Sequence, residues 1–226
     1  MKNMIKFILV AYLFISNTYS NTDNLTIISY KDPLLTRRVS WFFVVGNFNE
    51  INKNKPIIMI GDSLTFKVDW EKFLNMEGIA NAGIGGETSS LILERIDVLL
   101  HLKPKVAFLM VGINDFYRDA SVDKVFININ MIVNRLKEKN IKVNLIATPH
   151  CNSSSKINKF PVLCANANIK ISKLNSLLKK INTEFIDVNE LLSENNELIE
   201  DYTSDGVHLN DKGYEVIKNL ILSHIS

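Results

Sequence analysis

From Pro56 to the C-terminus, short apolar runs alternate with stretches of helical periodicity, and this alternation restricts the fold more than any other feature. Residues 57–60 form an unbroken apolar run that stops at Gly61, which suits a strand buried on both faces. Residues 106–111 stop at Gly112, and residues 143–147 are ended by Thr148-Pro149. Residues 185–188 give a further run, and 79–82 a weaker one. Between the runs, Val125, Phe126, Ile129, Ile132, Val133 and Leu136 fall on one face of a helix. Residues 88–102, 165–180 and 211–225 also read as helices. Lys103-Pro104 closes the first of these, and Asn210 is a fitting N-cap for the last. Strands alternating with helices predict an α/β domain with a five-stranded parallel sheet covered on both faces. In such sheets chemistry gathers at the carboxyl ends of the strands.

The chain of 226 residues is long enough for one such domain, here 56–226. Residues 1–20 have the layout of a secretory signal. Lys2 and Lys6 give a positive start, residues 7–15 are apolar, and the segment to Ser20 is small and mostly polar. The apolar run falls short of the roughly 20 residues that cross a bilayer. Thr18 and Ser20 suit cleavage before Asn21, and no cysteine there would take a lipid. The expectation is export to the periplasm or beyond, with no stable membrane anchor after cleavage. Residues 21–55 read as an N-terminal extension packing on the domain. The net charge of +2 comes from the leader lysines alone, so the remainder is neutral. A neutral chain without a basic cluster at a motif is not expected to bind nucleic acid.

The unusual polar residues follow the apolar runs. Gly61-Asp62-Ser63-Leu64-Thr65 comes after the first and offers Ser63 as a nucleophile; a plain turn or helix cap is the other reading. Asn81-Ala82-Gly83-Ile84-Gly85-Gly86-Glu87-Thr88 exposes backbone N–H groups to an anion, or is a flexible turn. It lacks the spacing of a dinucleotide loop, and no phosphate-binding Gly-rich loop ending in Lys occurs elsewhere. Gly112-Ile113-Asn114-Asp115 carries Asn114, which could donate to an oxyanion or simply make an Asx turn. Asp205-Gly206-Val207-His208 places an acid three residues before a histidine, the spacing at which a carboxylate fixes an imidazole tautomer. Of the other histidines, His101 sits at a helix end and His224 in the tail, and His150 could face substrate but reads more readily as a surface residue. Together the four segments supply a nucleophile, a base, an orienting acid and oxyanion donors, the set that acyl transfer requires. Cys151 and Cys164 flank a polar loop and are expected to pair as a disulfide, since export permits one. No acid or histidine sits at metal-ligand spacing around them.

These segments resemble the four blocks of the SGNH (GDSL-type) hydrolases. Ser63, Gly83, Asn114 and His208 stand at the four naming positions. Asn81-x-Gly83-x-x-Gly86-x-Thr88 is similar to the second block, and Asp205-Gly-Val-His208-Leu-Asn-x-x-Gly213-Tyr214 to the last. Residues 81–115 look most like the branch holding the platelet-activating-factor acetylhydrolase catalytic subunits and bacterial lysophospholipase-like esterases. The resemblance implies a three-layer flavodoxin-like fold. It implies Ser63 as nucleophile, His208 as base and Asp205 as orienting acid. The N–H groups of Ser63 and Gly83 and the side chain of Asn114 would form the oxyanion hole, and no cofactor is implied. One departure is Phe66-Lys67, where many members carry Glu-Gly, which changes the pocket wall. The expected substrate is an acylated small molecule, glycan or lipid, with small acyl groups on carbohydrate favoured. A lysophospholipase or thioesterase for longer chains is the alternative, and a non-catalytic glycan-binding module is the reading outside enzymes.

Overall fold

The computed structural model describes residues 54–225. The leader to residue 20 and almost all of the 21–55 extension lie outside the described residues. Five parallel strands, β1 (Ile57–Gly61), β2 (Ile79–Gly83), β3 (Val106–Met110), β4 (Lys142–Ile146) and β5 (Glu184–Ile186), form one sheet in the order β2-β1-β3-β4-β5. That is the doubly wound order of a flavodoxin-like fold, as the resemblance implies. The helices are α1 (Ser63–Phe66), α2 (Trp70–Leu74), α3 (Ser89–Leu100), α4 (Ile113–Tyr117), α5 (Val122–Lys137), α6 (Pro161–Leu178), α7 (Asn189–Leu192) and α8 (Asp211–Leu222). A small hairpin of β6 (Ser193–Glu194) and β7 (Glu197–Leu198) follows α7.

Strand side chains alternate between two cores, as the two-residue period of a strand demands. Ile58, Ile60, Ala107, Leu109, Val143 and Leu145 face α3, α5 and α6. Ile57, Met59, Phe108, Met110 and Ile186 face α1, α2, α7 and α8. The sheet is therefore mostly apolar on both sides, which is why β1 and β3 are continuous apolar runs, while β4 carries the buried Asn144 within its run. Local signals agree with the helices. Ser121 caps α5 through Lys124 N–H at 3.3 Å, with Asp123 in the first turn and Arg135 and Lys137 in the last, matching the helix dipole. Asn210 caps α8 through Gly213 N–H at 3.0 Å. On α8, Tyr214, Ile217 and Ile221 are buried against the second face.

Among the boundaries that differ from expectation are those of α6 and β5. Helix α6 begins at Pro161 rather than Ala165, because proline needs no N–H partner in a first helical turn. Strand β5 stops at Ile186, after which Val188 leads into α7. Cys151 and Cys164 are joined as a disulfide, with Cα atoms 5.8 Å apart.

Candidate active site

Register brings the chemistry to one edge. Gly61, the last residue of β1, lies beside Gly83 of β2 and Met110 of β3. The chain leaves all three strands at the same level.

Ser63 opens α1, a helix of only four residues. One turn alone does not stabilise itself in water, and its terminal carbonyls have no helical partners. Side chains supply them. Tyr214 of α8 donates its hydroxyl to Leu64 O at 2.6 Å. Trp70 of α2 donates its indole N–H to Thr65 O at 3.0 Å. The Asn81 amide reaches Thr65, Phe66 and Val68 carbonyls at 2.8–3.2 Å. At the other end, Asp62 caps the helix through Leu64 N–H at 2.9 Å. A Cβ on Gly83 would come within 2.3 Å of the Phe66 nitrogen, so only glycine lets β2 run this close beneath the turn.

His208 Nε2 stands 2.8 Å from Ser63 Oγ, and its Nδ1 stands 2.7 Å from Asp205 Oδ2. The carboxylate accepts at Nδ1, so Nε2 is left as the acceptor facing the hydroxyl. Asp205 Oδ1 takes the N–H groups of Val207 and His208 at 3.0 and 2.8 Å. Burial alone would raise this carboxyl, but these N–H groups and the His208 ring hold it below the ordinary range. Thr203 pins the same loop, accepting from Gly206 N–H at 2.9 Å and donating to His208 O at 2.8 Å.

The groups expected to form an oxyanion hole are also gathered here, and two of them already have acceptors. Gly83 N–H donates to Asn81 Oδ1 at 2.9 Å. Asn114 Nδ2 donates to Asp62 Oδ2 at 3.1 Å and to Glu87 O at 3.0 Å, which occupies both amide hydrogens. Ser63 N–H lies at the first helical position, where no internal partner exists.

Several residues that tie the site together have roles that the motifs alone do not show. Asp62 is buried, and burial pushes its carboxyl up from 3.8 to about 7. The nearby Asp115 and Glu87 charges push the same way, against the Leu64 N–H and the Asn114 amide. Glu87 and Arg95 form a buried two-pronged ion pair, with N–O distances from 2.6 to 3.0 Å, and Arg95 also donates to Ala82 O. Asp115 accepts from Ser89 N–H and hydroxyl at 2.8 and 2.7 Å, thereby capping α3, whose own N-cap Thr88 makes no such bond. The loops after β1, β2 and β3 are thus tied to one another through Asp62, Asn114 and Glu87. A pairing eight or more residues apart and off any helix face gives no sequence signal. His150 corrects the sequence reading: it is buried, with ring nitrogens 3.0 Å from Ser193 and Ser172 hydroxyls. Two hydroxyls satisfy the ring, so burial costs it little. Among the described residues, no group of acids, histidines and cysteines could hold a metal ion.

The GDSL-like Lipase/Acylhydrolase family matches residues 59–216, more than two thirds of the chain. The structure of a Bacteroides fragilis protein described as an acylhydrolase superposes with a TM-score of 0.70 at 28% identity, covering 86% of this chain and 97% of that one. An acetyl xylan esterase gives a TM-score of 0.59 at 25% identity, covering 75% and 99%. A Streptococcus pneumoniae protein whose name refers to platelet activating factor shares the fold, with a TM-score of 0.72 at 21% identity over 87% and 100%. Among curated proteins, the N-acylneuraminate cytidylyltransferase of Streptococcus agalactiae serotype V is 29% identical over 104 residues, 46% of this chain and 24% of that protein. The match thus spans about a quarter of the length of these curated relatives.

Proposed function

We propose that this chain, which belongs to the GDSL-like lipase/acylhydrolase family and is a carboxylic ester hydrolase, removes small acyl groups, acetyl above all, from carbohydrate outside the cytoplasm. The observation that carries the reaction is the unbroken hydrogen-bond chain from Asp205 through His208 to Ser63. Ser63 Oγ attacks the ester carbonyl while His208 Nε2 takes its proton. The tetrahedral oxyanion meets Ser63 N–H first. Gly83 N–H turns from Asn81 toward it, and Asn114 trades one of its two present acceptors for it. His208 then gives its proton to the departing alcohol. Water, activated by the same nitrogen, releases the acid and restores Ser63. Asp205 stays ionised throughout, and the imidazole must be neutral to accept the proton.

Support for a carbohydrate substrate comes from one structural neighbour and from the curated relatives. One structural neighbour is named an acetyl xylan esterase. The curated relatives are named N-acylneuraminate cytidylyltransferase, after a sugar that carries its acyl group on nitrogen. Export rests on the leader at residues 1–20. The test is hydrolysis of p-nitrophenyl esters of graded chain length and of acetylated sugars, beside Ser63→Ala. Cleavage of acetyl and not of long-chain esters, lost in the variant, is the expected result. A preference for long chains would replace this reading with lysophospholipase or thioesterase activity. Asn114→Ala should lower turnover roughly 10²–10³-fold; full turnover would remove Asn114 from the oxyanion hole.

A further inference from the structure

The loop closed by the Cys151–Cys164 disulfide has its burial inverted. Its polar residues Asn152, Ser155 and Asn158 are buried, while Ile157, Phe160 and Val162 are 52, 54 and 73% exposed, and Leu163 is also exposed. These are four of the nine large apolar side chains that the described residues leave exposed, and they fall within seven positions.

The inversion is built in. Asn152 Oδ1 accepts from Ser154 and Ser155 N–H at 3.0 and 2.7 Å, and its amide donates to Leu198 O at 2.7 Å. Asn158 donates to Asn152 O at 2.6 Å. The Asn168 side chain holds both backbone groups of Cys151. With the polar side chains committed inward, the apolar ones have only the outside to face. Isolated exposed apolar residues are ordinary, but a contiguous group on a fixed loop marks a contact surface.

Its charge is one-sided. Residues 139–183 contain eight lysines and no acid. Lys156 and Lys159 alternate with the exposed apolar residues and make no ion pair among the described residues, whereas Lys170 is paired with Asp119. Glu197 and Glu200 approach the start of the loop, where they accept from Ser153 and Ser155. The outward face of α6 continues with Ile169 and Lys173.

We propose that this loop and the first turns of α6 form a docking surface for an anionic lipid bilayer. Interleaved aliphatic, aromatic and lysine side chains suit the boundary between acyl chains and headgroups, where apolar groups enter and ammonium groups meet lipid phosphates. A protein partner would be expected to meet more directional polar groups than the exposed Ser154 and Asn166, since Asn152, Ser155 and Asn158 are turned inward. The surface is continuous with the catalytic edge. Asn152 N–H donates to Gly206 O at 2.7 Å. Gly206 has φ +85°, and a Cβ on it would lie 2.7 Å from Asn158 Cβ. The loop that would rest on lipid therefore buttresses the loop that carries Asp205 and His208. Binding is peripheral and reversible, and it holds whatever ester the enzyme prefers.

The experiment is co-sedimentation of the full chain with vesicles of phosphatidylcholine alone or mixed with phosphatidylglycerol. It compares wild type with Lys156→Gln/Lys159→Gln and with Phe160→Ser/Val162→Ser. The apolar run at residues 7–15 is present in every variant, so the reading is the difference between them. Wild type should prefer the mixed vesicles and lose that preference in high salt. The lysine pair should weaken binding on the order of thirtyfold, taking about fivefold for each lysine near an anionic surface. The serine pair should weaken it as well, and both variants should keep turnover on a soluble short ester. Equal binding by all three chains would overturn the proposal. So would loss in the lysine pair with none in the serine pair, which marks adsorption to any polyanion. Self-association of wild type that the variants abolish, without a vesicle difference, would assign the surface to a second copy.

Discussion

Ser63 and His208 stand 2.8 Å apart, yet different kinds of contact hold them. The serine sits on a turn whose carbonyls are gripped by Tyr214, Trp70 and Asn81, side chains from three other elements. The histidine sits on a loop fixed mostly within itself, by Thr203 and Asp205, and backed by the disulfide-closed loop through Asn152. The proposed nucleophile thus depends on the packed core. The proposed base depends on local hydrogen bonds and one surface loop. Damage to the first should show as lost stability, and damage to the second as lost activity in a folded protein.

The sharpest test of that contrast is His208→Ala. Turnover should fall by roughly 10⁴-fold or more, while the melting temperature stays close to wild type. A large drop in melting temperature would mean that the base loop also supports the fold.

Next in size is Asp62→Asn, on the nucleophile side. The folded carboxyl titrates at about 7 against an ordinary 3.8. A group raised in this way adds stability at pH below its unfolded value and loses it as pH rises through the folded one. The shift corresponds to about 4 kcal/mol between those limits. The amide does not titrate, so the variant should gain on wild type as melts move from pH 4 to pH 8. A stability difference that is constant with pH would remove Asp62 as a buried titrating group.

Removing the disulfide with Cys151→Ser/Cys164→Ser should cost about 3 kcal/mol for a loop of this length. On the base side, it should also slow turnover at temperatures where the protein remains folded. Unchanged turnover there would separate the loop from His208. The smallest effect belongs to Tyr214→Phe, which leaves Leu64 O without its donor and should cost about 1–2 kcal/mol by thermal unfolding.

The sheet was legible because strands buried on both faces are continuous apolar runs. The long helices were legible because each presents one apolar stripe. Elements of four or five residues, such as α1 and α4, are too short to show a period, and the β6–β7 hairpin shows only two residues on each side. At the site, Ser63, Asp205, His208, Gly83 and Asn114 could be picked out because each lies in a local cluster of residue types. Asp62 was in view inside such a cluster, but its burial and its bond to Asn114 follow only from bringing β1 beside β3. The Glu87–Arg95 pair and the buried His150 were missed for the same reason: their partners are chosen by the fold, not by spacing.

Ser63 and His208 are separated by 145 positions, close to the two ends of the domain. Their meeting requires the sheet to have closed and α8 to have docked, since Tyr214 of that helix also steadies the nucleophile turn. A chain emerging from the ribosome therefore carries its serine long before it carries a base. Such a chain is chemically silent toward esters while it is being made, and the appearance of activity is itself a report that the last helix has found its place.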